Sequence, residues 1–322
     1  MSFETITFGR ITNSYLNQAV INSTMSNQKK YVDLNLQYSS QKKISTLSDD
    51  PMSISTLFGA KNDLSKIEQY LKNISLNTAE LNVSETNLAS VYDDLTRISD
   101  LAIGASNELN GTTEANIVAN EIDEVLKHII NVANMNYNGK YIFSGASINT
   151  PAYSVSGGEY RYQGTTDAQG YEISAQLNDS TSITLNENGN NIFGEFYTTT
   201  LSLGTTVTIS YGLLGTVNEL LGGLRATPPD YDEIRSKLDE FKAEQGNVTY
   251  YRTKVGTNLA VLEKIQNKLS QQKINSENLR SNIEDANIIE VASKMQYQEF
   301  ALQASLQSAT KILQNSLLNF MS

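Results

Sequence analysis

Apolar positions fall on helical periods over most of this chain, and the clearest run follows Ser48-Asp49-Asp50-Pro51. Asp50 is placed to cap free N–H groups, and Pro51 takes the first helical position, where its missing N–H costs nothing. Beyond it Ala60, Ile67, Ile74, Leu81, Leu88, Leu95 and Ala102 recur at seven-residue spacing. Leu57, Leu64 and Leu71 accompany the first half, and Val91, Ile98 and Ala105 the second. The seam drifts by one position, as a real helix does against a strict 3.5-residue repeat. From Pro51 to about Ala105 such a helix is roughly 80 Å long. That length predicts a coiled-coil-like rod, since ordinary globular helices seldom run so far.

Asn110-Gly111 marks a turn, and a second helix is predicted from about Thr113 to Asn136. Its apolar face reads Ile117, Ile122, Val125, Leu126, Ile129, Val132 and Ala133. After Asn138-Gly139 the period changes to two. Tyr160 to Tyr162, Tyr171 to Leu177, Ser182 to Leu185 and Val207 to Tyr211 alternate or are β-branched, with glycines between them. Residues 141–212 therefore read as a small all-β domain with a core of its own. Two shorter helices follow. One uses Leu213, Val217, Leu220, Leu221 and Leu224. The other starts after Pro228-Pro229-Asp230, uses Ile234, Leu238 and Phe241, and is expected to break at Gly246. The last long helix carries Val255, Leu259, Leu262, Ile265 and Leu269, with Ile283 bridging to a terminal seam of Ile288, Ala292, Met295, Leu302, Leu306, Ala309, Leu313 and Phe320.

About 40 residues at each end are helix-patterned, amphipathic and free of proline. Ile11, Tyr15, Met25, Val32 and Leu36 fit a 3.5-residue spacing, but Gln18, Asn22 and Lys29 share their register, so this helix is marginal alone. Such faces at chain ends are expected to pair with each other and with neighbouring copies. The candidate interface residues are Ile11, Tyr15, Met25, Val32, Leu36, Ile288, Met295, Leu302, Leu306, Leu313 and Phe320. The predicted fold class is α+β, mainly α: a long antiparallel coiled-coil-like rod formed by both termini, with an inserted small all-β domain. Its expected divisions are a terminal domain (1–44 and 283–322), a helical rod (45–140 and 213–282) and the β insert (141–212).

Composition narrows the function. The 322 residues carry a formal charge of −11 and a pI near 4.7, with no basic stripe of the kind a nucleic-acid binder shows. There are no cysteines, which excludes disulfides and thiolate metal sites. Met1 to Thr12 lacks the charged-then-apolar pattern of a signal segment, and no stretch approaches the roughly 20 apolar residues of a membrane span. Export, if it occurs, is expected without a cleaved signal peptide, and no membrane insertion is expected. His128 is the single histidine and reads as structural or solvent-facing. The pairs Asp49-Asp50 and Asp93-Asp94 do not present two carboxylates to one point, because adjacent helical residues diverge. Asp230, Asp232 and Glu233 lack the glycine and terminal glutamate of a calcium loop. Gly157-Gly158 is a turn, Asn22-Ser23-Thr24 a chance glycosylation triplet, and the 17 tyrosines read as packing aromatics in a chain without tryptophan. No catalytic, cofactor or metal site is expected, and the chain does not read as an enzyme.

Four segments carry a family resemblance. Ser39-Ser40-Gln41-Lys42-Lys43-Ile44 leading into Asp49-Asp50-Pro51 resembles the bacterial flagellin superfamily. Asn138-Gly139-Lys140-Tyr141-Ile142-Phe143-Ser144-Gly145 resembles an element of the flagellar hook-associated protein 3 family, the hook–filament junction proteins. Tyr160-Arg161-Tyr162-Gln163-Gly164 with Ile192-Phe193-Gly194 is similar to that family's β domain, and Tyr297 to Phe320 to its C-terminus. The chain has extra residues, Met1 to Gly9, ahead of the element Arg10-Ile11-Thr12. The resemblance implies a structural subunit exported through the flagellar type III apparatus, helped by an export chaperone that covers Leu302, Leu306 and Leu313. Its implied place is extracellular, in the flagellum, as a ring of copies between hook-associated protein 1 and flagellin, where it nucleates the filament. Two other readings stand beside it. One is a flagellin-like filament subunit. The other is a stalked adhesin whose β-domain tyrosines stack on glycans.

Overall fold

The computed structural model describes residues 13–44, 50–106, 111–166, 170, 172–178, 181–200 and 205–321. The chain divides into two compact units, Met1–Lys66 with Gln272–Ser322, and Ile67–Gln271. Among the described residues are seven helices and eight short strands, an α+β architecture that is mainly α. Helix α2 (Pro51–Ala105) and helix α6 (Tyr231–Glu284) are the longest and contribute residues to both units.

In the unit of residues 67–271, α2 and α6 run antiparallel. The guanidinium of Arg252 meets Glu85 at 2.7 Å, Gln245 Nε2 meets Thr96 at 3.4 Å, and Arg235 reaches the carbonyl of Ser106 at 3.3 Å, so one number rises as the other falls. Both helices hold a strict seven-residue seam. On α2, Ile67, Ile74, Leu81, Leu88, Leu95 and Ala102 are buried; on α6, Ile234, Phe241, Val248, Val255, Leu262 and Leu269 are. A repeat shorter than two turns of a straight helix keeps its partner in contact only by winding left-handed around it. Gly246 does not break α6, contrary to the expectation from sequence. An interior glycine costs only about 1 kcal/mol, and Phe241 and Val248 on either side are fixed in the seam.

Helix α3 (Thr112–Ala133) packs on α5 (Gly212–Arg225), which carries the buried Leu213, Val217, Leu220, Leu221 and Leu224, and is joined to α2 by the Arg97–Glu121 and His128–Asp94 pairs. Its buried face runs from Ala115 and Ala119 through Ile122, Leu126 and Ile129 to Ala133. Ile117 was expected on that face and is exposed, because it lies five residues from Ile122, well round the helix. After α3 comes the hairpin of β1 (Asn136–Tyr137) and β2 (Lys140–Tyr141). Asn138 (φ 52°) and Gly139 (φ 82°) supply the two left-handed residues that a two-residue hairpin turn requires.

Four antiparallel strands form the main sheet in the order β3 (Tyr153–Ser156), β4 (Glu159–Tyr162), β7 (Glu195–Thr200), β8 (Thr206–Tyr211). A separate hairpin joins β5 (Ser174–Asn178) to β6 (Thr181–Thr184), and helix α4 (Gly189–Phe193) precedes β7. The sheet does not enclose a core of its own. Tyr153, Tyr160, Tyr162, Leu177, Ile192 and Phe193 belong to one continuous buried cluster with Ile122, Leu126, Val217, Leu220 and Val248 of the helices. Phe193 stands edge-on to Phe143 (5.4 Å) and Tyr153 (6.1 Å) at its centre. From α6, Asn247 binds the carbonyl of Asn191, Lys254 the buried Glu187 at 2.9 Å, and Asn258 the carbonyl of Thr184, which ties the segment before and within α4 to the coil. Burial raises the pKa of the Glu187 carboxyl despite that lysine.

The other unit contains α1 (Asn13–Ser40) and α7 (Ile288–Met321), packed side by side, with the first turns of α2 and the last turns of α6. Asp50 caps α2 as its sequence suggests, accepting from the backbone N–H of Met52 and Ser53 (3.2 Å each) and from the Ser53 hydroxyl (2.5 Å). The continuous helix expected through Ile283 into the terminal seam is interrupted: α6 ends at Glu284, and Asn287 caps α7 through the N–H groups of Ile289 and Glu290.

Candidate assembly surface

Helix α1 carries two apolar faces. At 100° per residue, Val20, Thr24, Asn27, Tyr31 and Leu34 share one side, and each of these is half-buried. They meet Ile288, Val291, Ala292, Met295, Gln298 and Leu302 of α7, which are buried or half-buried. Gln298 Nε2 donates to the carbonyl and side-chain oxygens of Asn27 (3.2 and 3.1 Å), and Asn35 approaches the Met295 sulfur at 3.9 Å, so the two helices run antiparallel. Ile21, Met25, Val32 and Leu36 occupy the other side, and these and Tyr15 are exposed.

The residues read from sequence thus separate into sets. Tyr15, Met25, Val32 and Leu36 do not make the α1–α7 contact; they lie open on the unit's surface. Ile288, Met295 and Leu302 line the contact, while Leu306 of the same helix is 50% exposed. Ile11 lies outside the described residues, and so do the side chains of Leu313 and Phe320. A second open stripe was missed. Ile289 (81% exposed), Tyr297 and Phe300 fall within roughly 80° of one another on α7. Their spacing of eight and three residues was legible, but it lies one position off the stronger seam. Next to Tyr297, an open groove of about 510 Å³ runs between the helices, floored by Leu34 and edged by Asp33, Gln37, Lys294 and Gln298.

The pair is tied at one end. Residues 41–43 bridge to residues 284–286: Lys43 N–H donates to the Glu284 carbonyl (2.7 Å), and Ala286 N–H to that of Gln41 (2.9 Å). The Glu284 carboxylate takes Lys42 at 2.7 Å and Lys61 at 2.9 Å. Burial pulls its pKa up, but the two ammonium groups more than offset this and hold it below the ordinary glutamate value.

The single histidine is engaged structurally. His128 Nδ1 pairs with Asp94 at 2.6 Å between α3 and α2, on the surface, and burial raises the Asp94 pKa against the pull of that histidine. Among the described residues no group of three His, Cys, Asp or Glu side chains is placed to hold a metal, and no helix is long and apolar enough to cross a membrane.

Comparison with known proteins meets this architecture. Residues 11–148 match the bacterial flagellin N-terminal helical region. Flagellar hook-associated protein 3 of Escherichia coli (strain K12) is 22% identical over 310 residues, covering 94% of this chain and 96% of its own length. The Salmonella typhimurium protein of the same name is 20% identical over 318 residues, covering 96% and 98%. Over nearly its whole length the chain is similar to flagellar hook-associated protein 3. Solved structures agree in fold. A flagellar hook-associated protein from Vibrio parahaemolyticus superposes with a TM-score of 0.62 at 22% identity, covering 74% of this chain and all of that one. Bacillus cereus FlgL gives 0.56 at 24% identity (69% and 99% covered), and the flagellar junction protein FlgL of Legionella pneumophila gives 0.57 at 15% (71% and 100%).

Proposed function

We propose that this chain is a structural subunit of the bacterial flagellum, set at the junction between hook and filament. The observation that carries the reading is end-to-end similarity to hook-associated protein 3 in a chain whose terminal helices leave apolar faces open. In a protein that stays monomeric, Met25, Val32, Leu36, Ile289, Tyr297 and Phe300 would cost solubility to no purpose. In a ring they are the contacts between copies. Residues 1–44 and 283–322 then form the polymerising domain. Residues 45–140 and 213–282 form the helical rod, and 141–212 the part displayed outward. Partners on this reading are further copies of the chain, hook-associated protein 1 on the hook side, flagellin on the distal side, and a chaperone that covers the Leu302–Leu313 seam before export by the flagellar type III system. The working place is outside the cell, and the role is mechanical, not catalytic.

A second reading has one observation in its favour: the match to a flagellin N-terminal region is equally compatible with a subunit of the bulk filament. Deleting the gene separates the two. Bare hooks, with flagellin shed as monomers into the medium, are the expected result. Intact filaments of normal length on the deletion strain would overturn the junction role.

A further inference from the structure

Asparagine stands directly before glycine at three places in this chain: Asn110-Gly111, Asn138-Gly139 and Asn188-Gly189. Such pairs are the most open to spontaneous deamidation, because glycine has no side chain to shield its backbone nitrogen from the neighbouring carboxamide. Asn110 lies outside the described residues, and the other two pairs sit in opposite surroundings. Asn188 is 1% exposed. Its side-chain oxygen accepts from the Asn190 N–H at 2.9 Å, and the Gly189 N–H donates to the Phe143 carbonyl at 2.9 Å, so both groups that would have to react are held in a buried site. Asn138 and Gly139, by contrast, are exposed at the tip of the β1–β2 hairpin. A Cβ built on Gly139 would meet open space, so the approach to this residue is free. The hairpin below the turn is two residue pairs long, Asn136 with Tyr141 and Tyr137 with Lys140. One further contact ties the turn down: the Gly139 N–H donates to the Asn136 side-chain oxygen at 2.9 Å.

We propose that Asn138 is a latent deamidation site and that Asn136 is the residue that keeps it slow. In the reaction the Gly139 nitrogen attacks Asn138 Cγ. The new N–Cγ bond closes a five-membered succinimide, and the carboxamide nitrogen leaves as ammonia, taking the proton that the Gly139 nitrogen gives up. Water then adds to one of the two ring carbonyls and opens the ring, to aspartate or, with the chain running through the former side chain, to isoaspartate. The first step needs the Gly139 N–H free and the Asn138 Cα–C bond turned so that nitrogen and Cγ meet. The bond to Asn136 opposes both. Either product alters the hairpin. Aspartate adds a negative charge next to Lys140 in a chain whose formal charge is already −11. Isoaspartate lengthens the backbone by one carbon, which a two-residue turn with both φ positive does not accommodate while its strands stay paired. Tyr137, which flanks the turn and packs against the shared core, then loses its fixed place. This chemistry needs water alone, without enzyme or partner, so it stands or falls apart from the junction reading.

The test is incubation of the purified full-length chain in mildly alkaline buffer, followed by peptide mapping with mass spectrometry. Deamidation reads as a gain of one mass unit, and isoaspartate as a separately eluting peptide. Slow conversion is expected at Asn138 in the wild type and none at Asn188 over the same time. Asn136→Ala is expected to speed conversion of Asn138 about tenfold, the loss of one hydrogen bond, and to leave Asn188 unchanged. Asn136→Asp keeps an acceptor oxygen and is expected to restore the slow rate. In denaturant the two sites are expected to react alike, which shows that the folded surroundings set the difference. Absence of conversion at Asn138 even in Asn136→Ala would overturn the site. Equal rates at Asn138 in wild type and Asn136→Ala would overturn the protective role of Asn136, and so would an Asn136→Ala effect that extends to Asn188.

Discussion

Leu306→Asp separates the stability of the subunit from its assembly. Leu306 is half exposed on α7 in the isolated chain, so an aspartate there keeps its hydration. The cost to the monomer is the difference in helix preference, about 0.5 kcal/mol. In a chain of this size that lowers the melting temperature by only about 1–2 °C. Within a ring the same carboxylate would be pressed into a dry contact without a partner, at a cost of several kcal/mol per copy. Taking about 3 kcal/mol as a modest value, each contact weakens more than 100-fold. The assay has two arms. Circular dichroism of the purified variant is expected to show wild-type helicity and near wild-type melting. Electron microscopy of cells carrying only the variant is expected to show hooks without filaments. Val291→Asp supplies the contrast, because Val291 is 7% exposed within the monomer itself, and there the melting temperature is expected to fall. Normal filaments with Leu306→Asp would refute the reasoning, and so would a variant that has already unfolded as a monomer.

Three further outcomes follow from the packing. Phe193→Ala empties the centre of the aromatic cluster shared with Phe143 and Tyr153 and is expected to cost about 3–5 kcal/mol, read as earlier thermal unfolding of residues 67–271. Gly246→Ala is expected to stabilise α6 by about 0.5–1 kcal/mol, since a Cβ there meets open space, whereas Gly194→Ala is expected to destabilise by more than that, because φ is +70° and the Cβ would lie 2.0 Å from the Tyr211 carbonyl oxygen; denaturant titration of the two variants gives opposite shifts. The Ser53 hydroxyl and N–H hold the Asp50 pKa below its ordinary value of 3.8, so the cap contributes above that pH and is lost as pH falls through the lowered value; the stability gap between wild type and Asp50→Ala is expected to be constant near neutrality and to close in acid below pH 3.8.

The long helices were legible because their seams repeat strictly and the capping group of α2 is written next to a proline. What escaped has identifiable causes. The break after Glu284 carries no glycine or proline; it is set by hydrogen bonds to residues 41–43, which a local reading does not contain, although Asn287 was a recognisable cap. Gly246 looked like a stop because its cost is local, while the seam that overrides it has six positions spanning five heptads. On α1 the better-spaced apolar series proved to be the open face, and the more polar Val20-to-Leu34 series the one that packs. Strands β3 and β7 were not read, though Glu195 to Thr200 is rich in β-formers, because the neighbouring turns drew the boundaries elsewhere. A separate β core was expected from the change of period at residue 139. Periodicity reports which face is buried but not against what, and here the buried strand tyrosines complete a core begun by the helices.

A junction subunit occupies one zone, between hook and filament. Immunogold labelling of intact isolated flagella with an antibody to residues 141–212 tests it directly. A single narrow band of gold at the distal end of the hook is expected. Gold along the whole filament, or on the cell surface away from flagella, would contradict it.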